Sequence, residues 1–428
     1  MKANGRAAPC GWGNFPRPVV SRNDAGDNGD ELTVNVSPGW CLMLRLIWIA
    51  CLFILAADSA AAQAPKPDPA AELFKPGVPV PKFKITLDDD NLKQLNKDPR
   101  KYVRAAVDIN GQNFPDVGIH IKGAAGSSRG WNDRPALTLN FDKFTKSQTW
   151  LGLDKIHLNN SVQDGSFFNE ILGSELAAAL KLPTARTAHA VLELNDKSQQ
   201  RRKLGIYVLK EGYNRAWLQR AFPEGPNGNL YDGGFLQDID GNLKLDSGNG
   251  ANKDELKKLA DACREGDAKK RFERVSALVD VNLIACNIAL QYVTCDWDGY
   301  VRNRNNYRLY FRSNDGKVVL IPHGMDQLFG NLNDSLRPGA GGMIARAFME
   351  SDDGRKLVDA KMREIVEKHF KPDLFNKRID EWVVHMKDSL KGSSNEQWGK
   401  DFENNAKGVK DRLKQRYDYL VRELPKLK

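Results

Sequence analysis

The chain has 428 residues, 41% hydrophobic and 28% charged, a balance that excludes a disordered or membrane-embedded protein and allows one large or two moderate domains. Its formal charge of +9 favours anionic partners such as nucleotides or phosphorylated polymers. No compact Lys/Arg–aromatic array accompanies that charge, so nucleic acid is not an expected partner.

Residues 1–38 are polar and Gly-rich, without apolar periodicity. Residues 42–57 are almost wholly apolar, broken by Arg45, and lead to Ala60 and Ala62, the small residues of an A-x-A cleavage site. That run is short for a membrane span, so a secretory signal at about 43–62 is expected, with Met43 as initiator and 1–42 an over-extended gene start. Export to the periplasm or the exterior follows, with no stable membrane insertion after cleavage. The five basic and five acidic residues in 1–62 cancel, so the mature chain keeps +9. Only Cys263, Cys286 and Cys295 survive processing; buried thiols are expected, a single bridge being the alternative.

Residues 63–81 form a Pro/Ala-rich linker, expected to be mobile. Residues 83–87 read as a strand and 88–96 as a helical turn. Residues 103–109 and 117–121 alternate around Asn110-Gly111 and predict a hairpin. A small-residue loop, 123–130, precedes a strand at 137–141. Residues 164–180 predict an amphipathic helix carrying Phe168, Leu172, Leu176 and Leu180 on one face. Strands at 189–194 and 204–209 flank the turn Asn195-Asp196. Residues 82–212 thus predict a mainly antiparallel, β-rich lobe with one helix.

Residues 213–428 predict a mainly helical lobe. Residues 275–292 read as one long apolar helix, a hairpin follows at 306–311 and 318–321, and helices are expected at 353–370, 374–391 and 402–427. The fold class is therefore α+β, a β-rich N-lobe followed by a helical C-lobe.

One spacing carries chemistry. Asp298 and Asn303 share a short loop, and the hairpin returns Asp326 beside them. Acid, Asn and a second acid past a hairpin is how kinases place a catalytic base and metal ligands. Three oxygen donors suit a hard cation that keeps positions for water and phosphate. Asp, Asn and Gly are also ordinary loop residues, which is the competing reading.

Four ordered segments resemble the CotH-type (spore coat protein H) atypical protein kinases. Ile119-His120-Ile121-Lys122-Gly123 with Ser127-Ser128-Arg129 looks like the family's R-x-K-G-x-S-S-R. Gly205-Ile206-Tyr207-Val208-Leu209-Lys210-Glu211 is similar to its G-V-Y-x-L-x-E. Asp298-Gly299-Tyr300 with Asn305-Asn306-Tyr307 and Tyr310 looks like its D-G-Y…N-Y-Y-L-Y, and Ile321-Pro322-His323-Gly324-Met325-Asp326 with Phe329-Gly330 like its I-P-W-D-L-D…F-G. The resemblance implies an atypical protein-kinase-like two-lobe fold and transfer of the ATP γ-phosphoryl group, with Mg²⁺ or Mn²⁺, to a protein Ser/Thr hydroxyl of unknown identity in the cell envelope. It assigns catalysis to Asp298 and metal binding to Asn303 and Asp326. Lys122, Ser127 and Ser128 would approach the phosphates, and Glu211 would lie at the adenine hinge.

Two positions depart from the family pattern. Residues 137–141 carry no Lys where related sequences usually have one, leaving Arg134 or Lys122 to supply that charge. Gly324 replaces the first acid of the family's paired-Asp segment. A catalytically inactive envelope or adhesion protein, or transfer of a nucleotidyl or amino-acid group, are the alternatives. Glu170 and Glu175 both qualify as the helix acid pairing the phosphate-binding cation.

Among other candidates, Asp238-Ile239-Asp240-Gly241-Asn242 lacks the Gly and Glu positions of a calcium loop and reads as a turn. His157 and His189 lie in apolar strands and read as hydrogen-bonded core residues, and Trp297 reads as a packing anchor, with stacking on substrate the alternative.

Overall fold

The computed structural model describes residues 68–427 except 125, 197, 198, 251 and 252. The apolar segment and cleavage site expected within 42–62 lie outside the described residues.

The strands Lys82–Leu87 (β1), Val103–Ile109 (β2), Gln112–Lys122 (β3), Ala136–Asn140 (β4), Lys155–Asn159 (β5), Thr187–Asp196 (β6) and Gln199–Glu211 (β7) close into a barrel in the order β1-β2-β3-β4-β5-β7-β6. Every pairing but one is antiparallel, as expected; the closure into a barrel is what the expected β-rich lobe lacked. The closing pair, β1 with β6, is parallel, with Phe83 opposite Leu192, and it leaves the sheet without an edge. At Asn110-Gly111 both residues have positive φ, 52° and 89°, as the primed hairpin turn requires. Alternation fills the barrel: Phe83, Ile85, Val107, Ile119, Leu139, Ile156, Leu192 and Leu209 are all buried. Of β5 the sequence marks only His157 as lying in an apolar strand, without bounds.

Helix α1 (Asp89–Lys97) extends the predicted turn, with Asp88 accepting a hydrogen bond from the Asn91 N–H at 2.7 Å as its N-cap. Helix α2 (Asn169–Ala179) starts five residues later than its pattern. Asp164 takes the N–H of Asn169 at 2.9 Å and Phe167 sits at φ 63°, so residues 164–168 form an irregular entry instead of a first turn. The stretch 68–81, read as linker, carries Ala70, Leu73, Phe74 and Val80 into the core from Asp68 onward.

A second sheet, ordered β11-β10-β8-β9, joins Asn229–Asp232 (β8), Lys244–Ser247 (β9), Tyr307–Phe311 (β10) and Val318–Pro322 (β11). The predicted hairpin is its β10–β11 pair. Helices α3 (Arg215–Ala221), α4 (Asp254–Cys263), α5 (Ala268–Ser276), α6 (Val281–Val293), α7 (Tyr300–Asn303), α8 (Met343–Met349), α9 (Asp352–Lys368), α10 (Pro372–Leu390) and α11 (Glu396–Glu423) make up most of the rest. The single helix expected over 275–292 is divided: α5 ends, Val279 bridges to Val318, and Asp280 caps α6 by accepting from the Leu283 N–H at 3.1 Å. None of the described helices is long and apolar enough to cross a membrane.

The three thiols Cys263, Cys286 and Cys295 are free and buried. Arg416 on α11 is fully buried and donates to the carbonyls of Tyr292, Val293, Leu332 and Asp334 at 2.7–3.0 Å. It ties the C-terminal helix to the end of α6, from which the functional loop departs.

Candidate active site

The loop after α6 turns sharply. Cys295 has φ 53°, and the Asp296 N–H returns to the Gln291 carbonyl at 2.8 Å. Gln291 also accepts from the Val301 N–H at 2.9 Å and donates to Asn287, itself bonded to the Leu320 carbonyl on β11. Loop and hairpin are thereby braced against one buried amide chain. Asp296 closes the turn by accepting from the N–H groups of Asp298 and Gly299. Burial, with Asp298 close by, pushes its carboxyl up to about 7.

Asp298 emerges at the cleft with both oxygens fixed. It accepts from the side-chain amides of Asn305 at 3.1 Å, Asn306 at 2.8 Å and Gln327 at 3.1 Å. Asn305, Asn306 and Gln327 are not among the residues assigned from sequence; the Asn305-Asn306 doublet before Tyr307 was their signal.

Asp326 lies in a short 3₁₀ turn, Met325–Gln327, tied to α2 because the Asn169 amide donates to the carbonyls of Asp326 and Leu328 at 2.9 and 3.1 Å. Burial and then neighbouring Glu170 push the Asp326 carboxyl up to about 7, with Lys122 opposing. Gly324 explains its own departure from the paired acids. Its φ is 60°, and a Cβ there would stand 2.6 Å from Asn306 Oδ1. Any side chain at 324 displaces an amide that holds Asp298.

A cleft of about 650 Å³ gathers Lys122, Ser127, Asp298, Asn303 and Asp326. Ser128, Arg134 and Glu211 do not line it. Arg134 is turned away: its guanidinium donates to the carbonyls of Asn160, Leu204 and Ile206 and lies 4.5 Å over the Tyr207 ring. Three carbonyls and a ring occupy the fork, which corrects its expected role as the phosphate-side cation. Glu211 accepts from Arg186 and Arg220. The small-residue loop is folded on itself, with Ser127 Oγ accepting from the Ala124 N–H at 3.2 Å.

Another buried cation lies on β7. Lys210 on β7 is fully buried and forms an ion pair with Glu170 on α2, itself buried. Burial opposes the Lys210 charge, but Glu170 outweighs it and leaves the pKa raised. Glu175 instead binds Arg378 at 2.9 Å and Trp382 Nε1 at 3.0 Å, so the choice between the two helix acids falls to Glu170. Lys122 on β3 donates to Asn159, and burial together with Lys210 lowers its pKa to about 8. Two lysines thus stand against Glu170 and Asp326. In the sequence Lys210 stands just past the strand read at 204–209, at an unassigned position of the segment similar to G-V-Y-x-L-x-E.

Among the described residues no group of three or more His, Cys, Asp or Glu could hold a metal ion. The cleft's oxygen donors include the carboxylates of Asp232, Asp298 and Asp326 and side-chain amides, a set that fits a hard cation retaining water and phosphate ligands. Asp326, desolvated beside Glu170, is a carboxylate whose charge such a cation would offset.

Elsewhere, Asp238 forms the expected turn, with the Gly241 N–H 2.9 Å from its carbonyl, but its carboxylate is directed inward to the Met343 N–H and the Tyr300 hydroxyl. His189 is a buried core residue bonded to the Phe167 carbonyl, and His157 is half-buried on β5 and bonded to Thr138 Oγ1, at 3.0 Å each. Trp297 is 43% exposed, so it is no packing anchor.

A family model described as CotH kinase protein matches residues 119–420. No curated protein matches the chain. Two solved structures that match are the Helicobacter pylori proinflammatory kinase CtkA and the Golgi casein kinase. The first is 8% identical, covers 67% of this chain and 94% of that one, and has a TM-score of 0.27. The second is 10% identical, covers 78% of this chain and 77% of that one, and has a TM-score of 0.27.

Proposed function

Because the chain belongs to the CotH kinase protein family, we propose that it transfers the γ-phosphoryl group of ATP to a Ser or Thr hydroxyl of a protein. The barrel and the helical part serve as the two lobes of an atypical kinase, with the cleft between β3 and the loop after α6 as the nucleotide site. The observation that carries this reading is the cleft that brings Lys122 and Asp326 together with Asp298, with the buried Lys210–Glu170 pair near enough to Asp326 to act on its charge. A barrel cation held by a helix acid, opposite an acid loop, is the arrangement phosphoryl transfer requires.

Asp298 orients the acceptor hydroxyl and takes its proton, while Asn305, Asn306 and Gln327 hold the carboxylate in place. The acceptor oxygen–phosphorus bond forms as the bond to the β,γ-bridging oxygen breaks, and ADP leaves. Lys122 and Lys210 offset charge on the phosphate oxygens, and the loop with Ser127 offers donors. Asp326 and Asn303 would hold Mg²⁺ or Mn²⁺, which neutralises triphosphate charge when bound. Residues 42–62 support action outside the cytoplasm, in the cell envelope; N-terminal sequencing of exported protein should begin near Gln63, and an uncut N-terminus refutes that placement.

Incubation of the chain from Gln63 with labelled ATP and Mn²⁺, followed by mass spectrometry, tests the reaction. An added phosphate on Ser or Thr supports it. A transferred nucleotidyl or amino-acid group, or no binding at millimolar ATP, refutes it.

A further inference from the structure

Eight large hydrophobic side chains are strongly exposed among the described residues, and five are scattered: Leu151 on a barrel loop, and Leu357, Leu374, Val384 and Val421 on α9, α10 and α11. The other three, Phe235 at 52%, Leu236 at 46% and Trp297 at 43%, line the same cleft as Asp298. Apolar groups left in water at the mouth of a polar cleft call for an occupant.

Their exposure is built in. The loop after β8 is pinned at both ends to Tyr307: the Gly233 N–H donates to the Tyr307 carbonyl at 3.1 Å, and the Tyr307 hydroxyl donates to the Gln237 carbonyl at 2.8 Å. Between the pins Gly234 and Leu236 both take left-handed backbone, φ 68° and 54°. For Leu that conformation is strained, and such strain persists where the surroundings impose it and clusters at binding sites. The bend turns Phe235 and Leu236 outward. Trp297 is the residue before Asp298, so whatever rests on it lies close to the hydroxyl that Asp298 handles.

We propose that Trp297, Phe235 and Leu236 form an acceptor-recognition platform that takes a bulky apolar or aromatic side chain flanking the phosphorylated Ser or Thr. The inference rests on the kinase reading. In-line transfer puts the acceptor and leaving oxygens on opposite sides of phosphorus, so groups adjoining Asp298 face the acceptor and not the nucleotide. An extended peptide advances about 3.4 Å per residue, which places the selected side chain within about three residues of the hydroxyl.

The test is a positional peptide library with a fixed Ser or Thr, phosphorylated by the chain from Gln63 with labelled ATP and Mn²⁺. Leu, Ile, Met, Phe, Tyr or Trp should be selected at one flanking position. Trp297→Ala and Phe235→Ser, both truncating half-exposed side chains, should lower the kcat/KM ratio of Phe-flanked over Gly-flanked peptide by roughly tenfold to a hundredfold. The change should lie in KM, and Trp297→Phe should restore most of it. Transfer without apolar selection overturns the platform and leaves the kinase reading intact. Weaker ATP binding by Trp297→Ala with peptide selection unchanged assigns the ring to the nucleobase and also overturns it. No transfer to any pool, and none to the chain itself, removes the kinase reading and this inference together.

Discussion

Replacing Lys210 by Met removes one member of a fully buried ion pair and leaves Glu170 charged in the core. The geometry sets the size of the effect. The Glu170 side chain is 2% exposed and its Oε2 has no hydrogen-bond partner among the described residues, so water cannot take over from the lysine. Breaking a buried pair from one side costs about 3–5 kcal/mol, whereas replacing both members by apolar residues of similar volume is often neutral. Lys210→Met and Glu170→Leu should therefore each lower unfolding free energy by about 3–5 kcal/mol in urea titrations, and the double variant should return to within about 1 kcal/mol of the parent. The raised pKa of Lys210 means the pair's contribution is complete below pH 10.5 and lost only as pH rises beyond it, so pH 7.5 reads it in full. Calorimetry separates stability from function: all three variants should lose ATP affinity, including the stable double variant. A double variant that binds ATP like the parent, or a Lys210→Met cost below about 1 kcal/mol, refutes the role given to the pair.

Two other outcomes follow from the packing. His189 is enclosed by the rings of Phe168, Trp382 and Phe402, and burial lowers its pKa to about 3. Its neutral form contributes fully above pH 6.5 and progressively less as pH falls towards 3, a loss of about 3 kcal/mol by pH 4. His189→Leu should flatten stability between pH 6.5 and 4 by that amount in urea titrations, and parallel profiles contradict it. Gly324→Asp, which restores the family's first acid, forces a side chain onto left-handed backbone and against Asn306. It should destabilise the protein by about 1–3 kcal/mol and slow transfer at least roughly tenfold; thermal melts and initial rates check both, and a faster enzyme contradicts the packing.

Local chemistry was legible where one residue type sets one conformation. Asn110-Gly111 predicts its hairpin, and the apolar runs of β10 and β11 predict theirs. Asp298, Asn303 and Asp326 were readable because a short hairpin alone separates them. The barrel's parallel closure of β1 onto β6 is a pairing of distant strands with no local signature. β5 is marked only at His157 and not delimited, because Lys155, His157 and Asn159 mask its two inward residues, Ile156 and Leu158. The break between α5 and α6 hides beneath apolar residues that cross it, although Asp280 marked the cap. The cations show the same limit: Arg134 stood at the expected strand, yet three carbonyls claim it, while Lys210 meets Glu170 across 40 positions. Trp297 read as an anchor because aromatic residues usually bury; only the fold shows it left in the cleft.

The most direct measurement of the central claim is labelled-phosphate incorporation from ATP with Mn²⁺ by the chain from Gln63 and its Asp298→Asn variant, alongside circular dichroism of both. Asn keeps the shape at 298 and removes the proton acceptor, so the spectra should coincide while incorporation falls at least about a hundredfold. Equal incorporation by the folded variant contradicts Asp298 as the residue that handles the acceptor.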